Sequence, residues 1–452
     1  MSWYHASMYD AGAPAGSLWE DDAPPLDVGA DLGPLTGEEQ CDVAIIGGGY
    51  TGLSAALHLA RDHHIDVRLL EAGPLGWGAS GRNGGFCTLP PSGLSLGELI
   101  GRYGEGEARR FIASQVDAVE LVRALARDEA IDIRPQGDGT LHVAHDASRF
   151  ADLEEEAALL GGKFGLPVRL MRREEVAETS YDSTEQFGAL LNEVGFGLHP
   201  LRFARGLAAA AARRGAKLHG RSRVERWEKA GGEHRLSTKD GALRARRVIV
   251  ATNGFSRGDI LPALANRLMP VLSNIIVTRP LTDDELAAQG WKTERPCSNT
   301  RRLLFYYRLL PDRRFLFGAR GDMTGKPEDG ARMRRRMERR LGEVFTHWAH
   351  VPTTHYWRGF VCMTARLTPA IGQMPDDESI YFALAYHGDG VSAAPWAGKM
   401  IAQLIGGAGS FGDLPAPLRG IPPRIPFPAL RRWYLGAALG YYHLKDQQVS
   451  GS

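Results

Sequence analysis

The pattern of apolar positions near the amino terminus predicts a β–α–β unit. Residues 42–46 form an apolar run typical of a strand buried in a parallel sheet. A helix is expected over 53–61, and a second apolar strand over 67–70. The chain therefore opens with a strand that runs directly into a turn and a helix.

Three glycines in that turn have the spacing of a dinucleotide fingerprint. Gly47 permits the tight turn, Gly49 lets the backbone approach a pyrophosphate, and Gly52 lets the helix pack closely on the strand. The helix amino terminus offers unpaired N–H groups and a partial positive charge to the phosphates. Glu71 ends the second strand about 20 residues later, where an acidic side chain binds a ribose hydroxyl.

A second copy of the same glycine pattern is interpreted as a loop. Gly407, Gly409 and Gly412 follow an expected helix rather than a strand, and two prolines come after them. No βα unit can begin there, so only the first copy predicts a nucleotide site.

Periodicity along the rest of the chain indicates a mixed α/β fold. Helices are expected over 107–127, 148–160, 201–214 and 391–405, and strands over 140–144, 216–219, 224–227, 247–250, 303–308, 314–317 and 380–385. The strand at 247–250 ends in a small-residue turn, as the first strand does. We therefore place it in the nucleotide domain, a Rossmann-like domain assembled from separated segments.

This assembly predicts the domain limits. The nucleotide-binding domain comprises 41–132, 200–265 and 358–410, and an inserted antiparallel-sheet substrate domain comprises 133–199 and 266–357. An amino-terminal extension (1–40) and a carboxy-terminal tail with a helix (411–452) complete the chain of 452 residues.

Composition excludes several functional classes. A net charge of +1 argues against a nucleic-acid binder, and the basic run at 332–340 has the spacing of an amphipathic helix with a solvated arginine face. The four cysteines form no C-x-x-C pair, so we expect neither a metal site nor disulfides, which fits a reducing cytosol. No signal peptide or membrane-spanning stretch is recognised, and a soluble cytoplasmic protein is expected.

A glycine-rich loop distinguishes the chain from nicotinamide dehydrogenases. Those enzymes continue with βαβ units, whereas residues 73–86 here carry six glycines where backbone can lie against a large flat ligand. With the 47–52 fingerprint, the Ala-Thr-Asn-Gly turn at 251–254 and Gly-Asp-Gly-Val at 388–391, this loop resembles the D-amino-acid oxidase superfamily of flavoproteins. Within it the chain is most similar to gamma-glutamylputrescine oxidase-like amine oxidases, through Trp3-Tyr4, 81–85, 306–309, 314–318 and 441–446.

The resemblance implies FAD held between the two domains. The residues implied to contact it are Gly47, Gly49, Tyr50, Thr51, Gly52, Glu71, Ala72, Ser80, Arg82, Asn83, Gly84, Gly85, Phe86, Val224, Ala251, Thr252, Asn253, Gly254, Gly388, Asp389, Gly390 and Val391. The helix that begins at Gly388–Val391 would stabilise negative charge on the reduced flavin. Some members of the superfamily attach flavin through a cysteine, but the family pattern puts Gly359, not Cys362, at that position, so non-covalent FAD is predicted.

The implied reaction is oxidation of a C–N bond in a small-molecule amine or amino acid, with oxygen reduced to hydrogen peroxide. His387 is a candidate to take the amine proton, and Arg82 is a candidate cation over the flavin. Tyr306 and Tyr307 are further catalytic candidates, although strand alternation lets only one face the pocket. Asp389 is either a helix N-cap or a partner of the amine.

Three alternatives stay open. The enzyme is a flavin dehydrogenase that passes electrons to a quinone or carrier, an NAD(P)H-dependent hydroxylase, or a flavin-binding protein without turnover. The tail at 431–444 is basic and apolar enough to touch a membrane surface, but packing on its own domain is favoured and no membrane contact is expected. The oligomeric state is left open.

Overall fold

The computed structural model describes residues 3–26, 33–89, 92–430, 433–437 and 440–441. The α-helices are α1 (Leu18–Asp22), α2 (Tyr50–His63), α3 (Leu96–Asp128), α4 (Phe150–Ala157), α5 (Arg173–Thr179), α6 (Pro200–Arg213), α7 (Asp283–Gln289), α8 (Pro327–Val344) and α9 (Gly390–Ile405). The strands are β1 (Gly37–Ile46), β2 (Val67–Leu70), β3 (Phe86–Cys87), β4 (Thr140–Val143), β5 (Val168–Met171), β6 (Ala189–Asn192), β7 (Phe196–Gly197), β8 (Lys217–His219), β9 (Arg226–Ala230), β10 (Glu233–Ser237), β11 (Gly241–Val250), β12 (Leu268–Pro280), β13 (Cys297–Asn299), β14 (Phe305–Leu309), β15 (Arg314–Arg320), β16 (Thr353–Thr364), β17 (Ala370–Met374) and β18 (Asp377–Leu384).

The first sheet has the order β17-β18-β11-β1-β2-β8, with β10 and β9 extending from β11. Strands β18, β11, β1, β2 and β8 run parallel, and β11 pairs with β1 in the register Ile46↔Val250. Because parallel strands end at one edge, the turns after β1, β11 and β18 meet there. Helices α2, α6 and α9 pack on this sheet through buried apolar side chains.

The second sheet has the order β16-β12-β15-β14-β13-β4-β6-β5 and is antiparallel except for the β4–β13 pair. Its outer face carries α8, on which Met337, Leu341 and Val344 are buried. The predicted amphipathic helix over the basic run is confirmed. The mixed α/β fold with an inserted, mainly antiparallel sheet is confirmed too, while the domain limits remain our proposal.

Several predicted bounds differ from the structure. Helix α3 begins at Leu96 because Ser95 and Glu98 form a capping box, and it continues across a non-helical Gly104. The helix expected over 148–160 is α4 followed by a π-helical turn, Ala158–Lys163, and the strand expected at 224–227 begins later, as β9. The second glycine pattern lies after α9 in a loop with one 3-10 turn, as predicted.

The carboxy-terminal tail is described in part. Residues 433–437 are helical, whereas 431–432, 438–439 and 442–452, which carry much of the predicted tail helix and the resemblance at 442–446, lie outside the described residues. Among the described residues, no helix combines the length and hydropathy that a membrane crossing requires.

Candidate active site

The turn between β1 and α2 has space for no side chain at its three fingerprint glycines. A Cβ atom on Gly47, whose φ is +115°, would lie 2.6 Å from the Ala251 carbonyl oxygen, and one on Gly52 would lie 2.0 Å from the Gly47 oxygen. A Cβ on Gly49 would lie 2.9 Å from Ser80 Oγ. The backbone is therefore bare where the sheet edge meets the start of α2, as close approach of a phosphate requires.

Two polar side chains hold this turn. Glu71 accepts hydrogen bonds from the N–H groups of Gly48 (2.6 Å) and Gly73 (2.9 Å), and Ser80 Oγ accepts from the Tyr50 N–H (2.9 Å). Burial raises the pKa of the Glu71 carboxyl, and these N–H groups offset part of that effect. The loop after β2 is thereby tied to the helix amino terminus.

A single cavity of about 1160 Å³ runs from this turn to the face of the second sheet. Its volume exceeds the roughly 300–1,000 Å³ of a pocket for one drug-sized ligand. Of the residues implied to contact FAD, all but two line it: Gly47, Gly49, Tyr50, Thr51, Glu71, Ala72, Ser80, Arg82, Asn83, Gly84, Phe86, Val224, Ala251, Thr252, Asn253, Gly254, Gly388, Asp389, Gly390 and Val391.

The two exceptions, Gly52 and Gly85, lie behind the lining. Gly52 packs α2 on β1, as expected of the third glycine. A Cβ on Gly85 would lie 2.0 Å from the Leu198 carbonyl oxygen and 2.6 Å from an Arg308 nitrogen. Arg308 is fully buried and donates to the carbonyl oxygens of Gly84 (3.0 Å) and Leu198 (2.6 Å), so it fixes the glycine loop from the protein side.

The turns after β11 and β18 are joined at the cavity edge. Asn253 Oδ1 accepts a hydrogen bond from the Ala385 N–H at 2.8 Å. Ala385 and His387 adopt left-handed backbone angles, with φ of 66° and 55°, which are uncommon for non-glycine residues. This turn aims the amino terminus of α9 at the cavity.

Asp389 occupies the N-cap position of α9 but makes no capping hydrogen bond. Its carboxylate instead accepts from Thr88 Oγ1 at 2.7 Å. Burial raises the pKa of this carboxyl, and the Thr88 hydroxyl and the Arg320 charge offset it in part. The free N–H groups of the helix are thus left to the cavity rather than to Asp389.

His387 is held as a neutral ring. Burial lowers its pKa to about 4, and the Thr368 backbone offsets only part of the shift. The Thr364 N–H, 3.3 Å away, can only donate, so Nε2 accepts and Nδ1 carries the proton. Nδ1 makes no hydrogen bond of ordinary geometry with the described residues. The arrangement favours a hydrogen-bond donor over the proton acceptor expected from the sequence.

The two tyrosines of β14 are separated by the sheet. Tyr306 lines the cavity and its hydroxyl lies 2.8 Å from Ser273 Oγ, while burial raises its pKa to about 12. Tyr307 faces the outer core, where its hydroxyl lies 2.7 Å from that of Tyr181. The catalytic role considered for Tyr307 is therefore corrected to a core position.

Arg82 contributes a cation that forms no ion pair with a carboxylate of the described residues. Its guanidinium lies 4.2 Å from the Trp77 ring centroid and donates to the backbone oxygens of Trp77 and Arg358. Burial lowers its pKa to about 10, so it stays charged at neutral pH. A Cβ on Gly359 would lie 3.2 Å from Arg82 Cβ, which explains the glycine at that position.

Sequence reasoning missed Arg320, at the end of β15. It lines the cavity, donates to the His387 carbonyl oxygen at 3.4 Å, and its charge offsets part of the burial that raises the pKa of Tyr306. Alternation along 314–320 places Arg320 on the face opposite to Phe315, Phe317 and Ala319, but which face meets the cavity depends on the register with β12.

Comparison with known proteins agrees with this geometry. The model of the FAD-dependent oxidoreductase family (DAO) matches residues 42–404. The chain belongs to this family. It is a FAD-dependent oxidoreductase, and the glycine turn, the large cavity and the aimed helix terminus fit that cofactor.

Members of the family with high similarity cover nearly the whole chain. A probable oxidoreductase, OrdL, of Rhizobium meliloti is 34% identical over 91% of this chain and 94% of its own. The gamma-glutamylputrescine oxidoreductase of Escherichia coli is 33% identical over 90% of this chain and 93% of its own. The crystal structure of glycine oxidase from Geobacillus kaustophilus superimposes with a TM-score of 0.69 at 20% identity, covering 82% of this chain and 96% of that one, which supports the fold.

Proposed function

We propose that the protein oxidises the C–N bond of a small-molecule amine to an imine, with dioxygen as the final electron acceptor. The observation that carries this proposal is the continuity of one cavity from the Gly47 turn to Tyr306 and Ser273. A substrate at the tyrosine end shares an enclosed space with the cofactor. Similarity to a gamma-glutamylputrescine oxidoreductase favours an amine as that substrate.

Bound FAD supplies the acceptor for the hydride removed from the carbon beside the nitrogen. Water then hydrolyses the imine, so that an amine R–CH2–NH2, water and O2 give an aldehyde, ammonia and H2O2. The chain must bind the amine in its neutral form, because only the nitrogen lone pair can assist loss of hydride.

The charges along the cavity favour the neutral amine. Arg82 and Arg320 are cations, and a nearby cation lowers the pKa of an ammonium group. Asp389 acts in the opposite sense, but burial raises its own pKa and Thr88 already donates to it. The Tyr306 hydroxyl, which lies beside Ser273 Oγ, is a donor that can orient a substrate nitrogen.

No strong base is needed, because hydride leaves carbon directly and an amine that enters neutral has no proton to transfer. The same two arginines would stabilise the negative charge that develops as dioxygen is reduced. We propose non-covalent binding of FAD, since the attachment position carries Gly359 and burial raises the pKa of the Cys362 thiol to about 12.

Peroxide yield tests the proposed acceptor. Purified holoenzyme is mixed in air with an amine panel that includes gamma-glutamylputrescine, simple secondary amines and amino acids, and H2O2 is measured against amine consumed. We expect one H2O2 per amine. Amine-dependent reduction of a dye without peroxide in air would instead show a dehydrogenase, and bleaching of the flavin by NADPH alone would show a hydroxylase.

A further inference from the structure

On the inner face of the second sheet, side chains of neighbouring strands form a continuous row that begins at Tyr306. Strand register places Ser298 opposite Tyr306, His142 opposite Ser298, and Leu190 opposite His142. All four line the cavity. Directly opposed residues share a face, so these side chains form one floor across four strands.

A pair of opposite charges lies on this floor. His142 Nδ1 is 2.9 Å from Glu156 Oε2, and the two side chains keep 36% and 33% of their surface exposed although both lie deep in the protein. Both line the cavity, so this exposed surface faces its interior. Burial opposes protonation of His142, but the Glu156 carboxylate outweighs it and raises the pKa of the ring.

As a stabilising contact this pair is a poor arrangement. Taking two charges out of bulk water costs several kcal/mol per ion, and the attraction between them repays little of it when a carboxylate oxygen is left unused. Glu156 Oε1 has no hydrogen-bond partner among the residues the structure describes. A carboxylate oxygen and an imidazolium directed into a substrate cavity are, in contrast, the two groups that an ammonium and a carboxylate bind.

We propose that His142 and Glu156 form the subsite for a zwitterionic α-amino-acid group at the far end of the substrate amine. The inference rests on the proposed amine oxidation and names its substrate class: Glu156 accepts from the α-ammonium, and His142 donates to the α-carboxylate. Of the residues on this end of the floor, Leu160, Leu190 and Asn192 carry no charge, so the pair supplies the charge recognition.

The spacing fits an acylated diamine. His142 lies two strands from Tyr306, which is roughly 10 Å at a strand separation of about 4.8 Å. In a γ-glutamyl derivative of a four-carbon diamine, about eight bonds separate the oxidised carbon from the α-carbon, or roughly 9 Å at the ~3.5 Å per three bonds of an extended chain. Ser298 lies midway, where its hydroxyl, which has no partner among the described residues, can meet the amide.

Two matched amines and three proteins test the subsite. Gamma-glutamylputrescine and N-butanoylputrescine have the same chain up to the α-carbon, but only the first carries the two charges. Anaerobic stopped-flow reduction of the holoenzyme flavin gives Kd and the limiting rate for each, in the wild type, Glu156→Gln and Glu155→Gln. Glu155 is an exposed carboxylate of the same helix, outside the cavity lining, and serves as the control.

We expect Glu156→Gln to weaken binding of gamma-glutamylputrescine by about ten- to hundred-fold, the worth of a charged hydrogen bond, with its limiting rate unchanged. Binding of N-butanoylputrescine should not change, and Glu155→Gln should match the wild type. Equal effects of Glu156→Gln on both amines, or no effect on either, would overturn the subsite. His142→Asn provides the second variant, with the same expectation.

Calorimetry with γ-glutamylbutylamide separates this inference from the proposed function, because that ligand has the charged end but lacks the terminal amine that is proposed to be oxidised. If no amine reduces the flavin while γ-glutamylbutylamide binding still depends on Glu156, the proposed oxidation fails and the subsite stands. If amines reduce the flavin but this ligand binds wild type and Glu156→Gln alike, the oxidation stands and the subsite fails.

Discussion

Tyr306 and Tyr307 are consecutive in β14, yet their hydroxyl groups end on opposite faces of the second sheet, one beside Ser273 in the cavity and the other beside Tyr181 in the core. The pair therefore offers a matched test. Tyr306→Phe should slow amine-dependent flavin reduction by about ten-fold through loss of one hydrogen bond, with little change in stability.

Tyr307→Phe should do the reverse. It leaves the buried Tyr181 hydroxyl unpaired, and we expect unfolding free energy to fall by about 1–3 kcal/mol with the reduction rate unchanged. Urea unfolding and anaerobic kinetics on both variants provide the check. Slower flavin reduction in Tyr307→Phe, or an unchanged rate of flavin reduction in Tyr306→Phe, would contradict these separate roles.

FAD binding is expected to require a glycine at position 49, in the turn between β1 and α2. In Gly49→Ala the new methyl group would lie 2.9 Å from Ser80 Oγ and displace the acceptor of the Tyr50 N–H. Such overpacking costs about 1–3 kcal/mol, so FAD affinity should fall by about ten- to hundred-fold. Gly101→Ala is the control, since nothing lies within 4 Å of that Cβ. Flavin content after dialysis distinguishes them, and equal retention would argue against the turn as the binding site.

Covalent attachment is checked by mass. Since the Cys362 thiol is buried and its pKa is raised to about 12, we expect denatured protein to release FAD and to show the mass of the bare polypeptide. Denatured Cys362→Ser should likewise show the mass of its own bare polypeptide. A flavin adduct in the wild type that disappears in this variant would show that the thiol is the attachment point.

Acid should destabilise the protein through His199. Burial, followed by the charges of Arg202, Arg134 and Arg308, lowers its pKa from 6.5 to about 3. The unfolded chain therefore takes up the proton first, and stability falls as the pH drops below 6.5. This residue alone should cost about 2 kcal/mol between pH 6.5 and pH 5.

His199→Asn isolates that contribution. Nδ1 of His199 accepts the Arg202 N–H at the start of α6, and asparagine can take over this capping bond without titrating. Urea unfolding at both pH values should show a smaller loss of stability in the variant. A loss equal to that of the wild type would mean that His199 is not the titrating group.

Local signals explain what the sequence could predict. β1, the glycine turn, α2 and β2 follow one another between residues 37 and 70. Each has its own apolar period or glycine requirement, so Gly47, Gly49 and Glu71 were identified from spacing. The apolar run and small-residue turn of β11 repeat those of the first strand and predicted that both belong to one domain; the structure places them in one sheet.

The positions of His142 and Arg320 could not be predicted, because they depend on the register between strands that are distant in sequence. The row from Tyr306 through Ser298 to His142 joins strands more than 150 residues apart, and a slip of one residue would turn His142 away from the cavity. Which face of β15 meets the cavity, and hence the position of Arg320, depends on pairing with β12 in the same way. His387 was identified, but the tautomer of its ring depends on the Thr364 N–H, which no local pattern reveals.

If one cavity holds FAD beside an amine, the amine alone should reduce the bound flavin. This is measured by anaerobic mixing of the yellow holoenzyme with gamma-glutamylputrescine, followed by flavin absorbance. We expect the oxidised flavin band to disappear in a single turnover without any added reductant. A flavin that stays oxidised with this amine and with every member of a broad amine panel would contradict it.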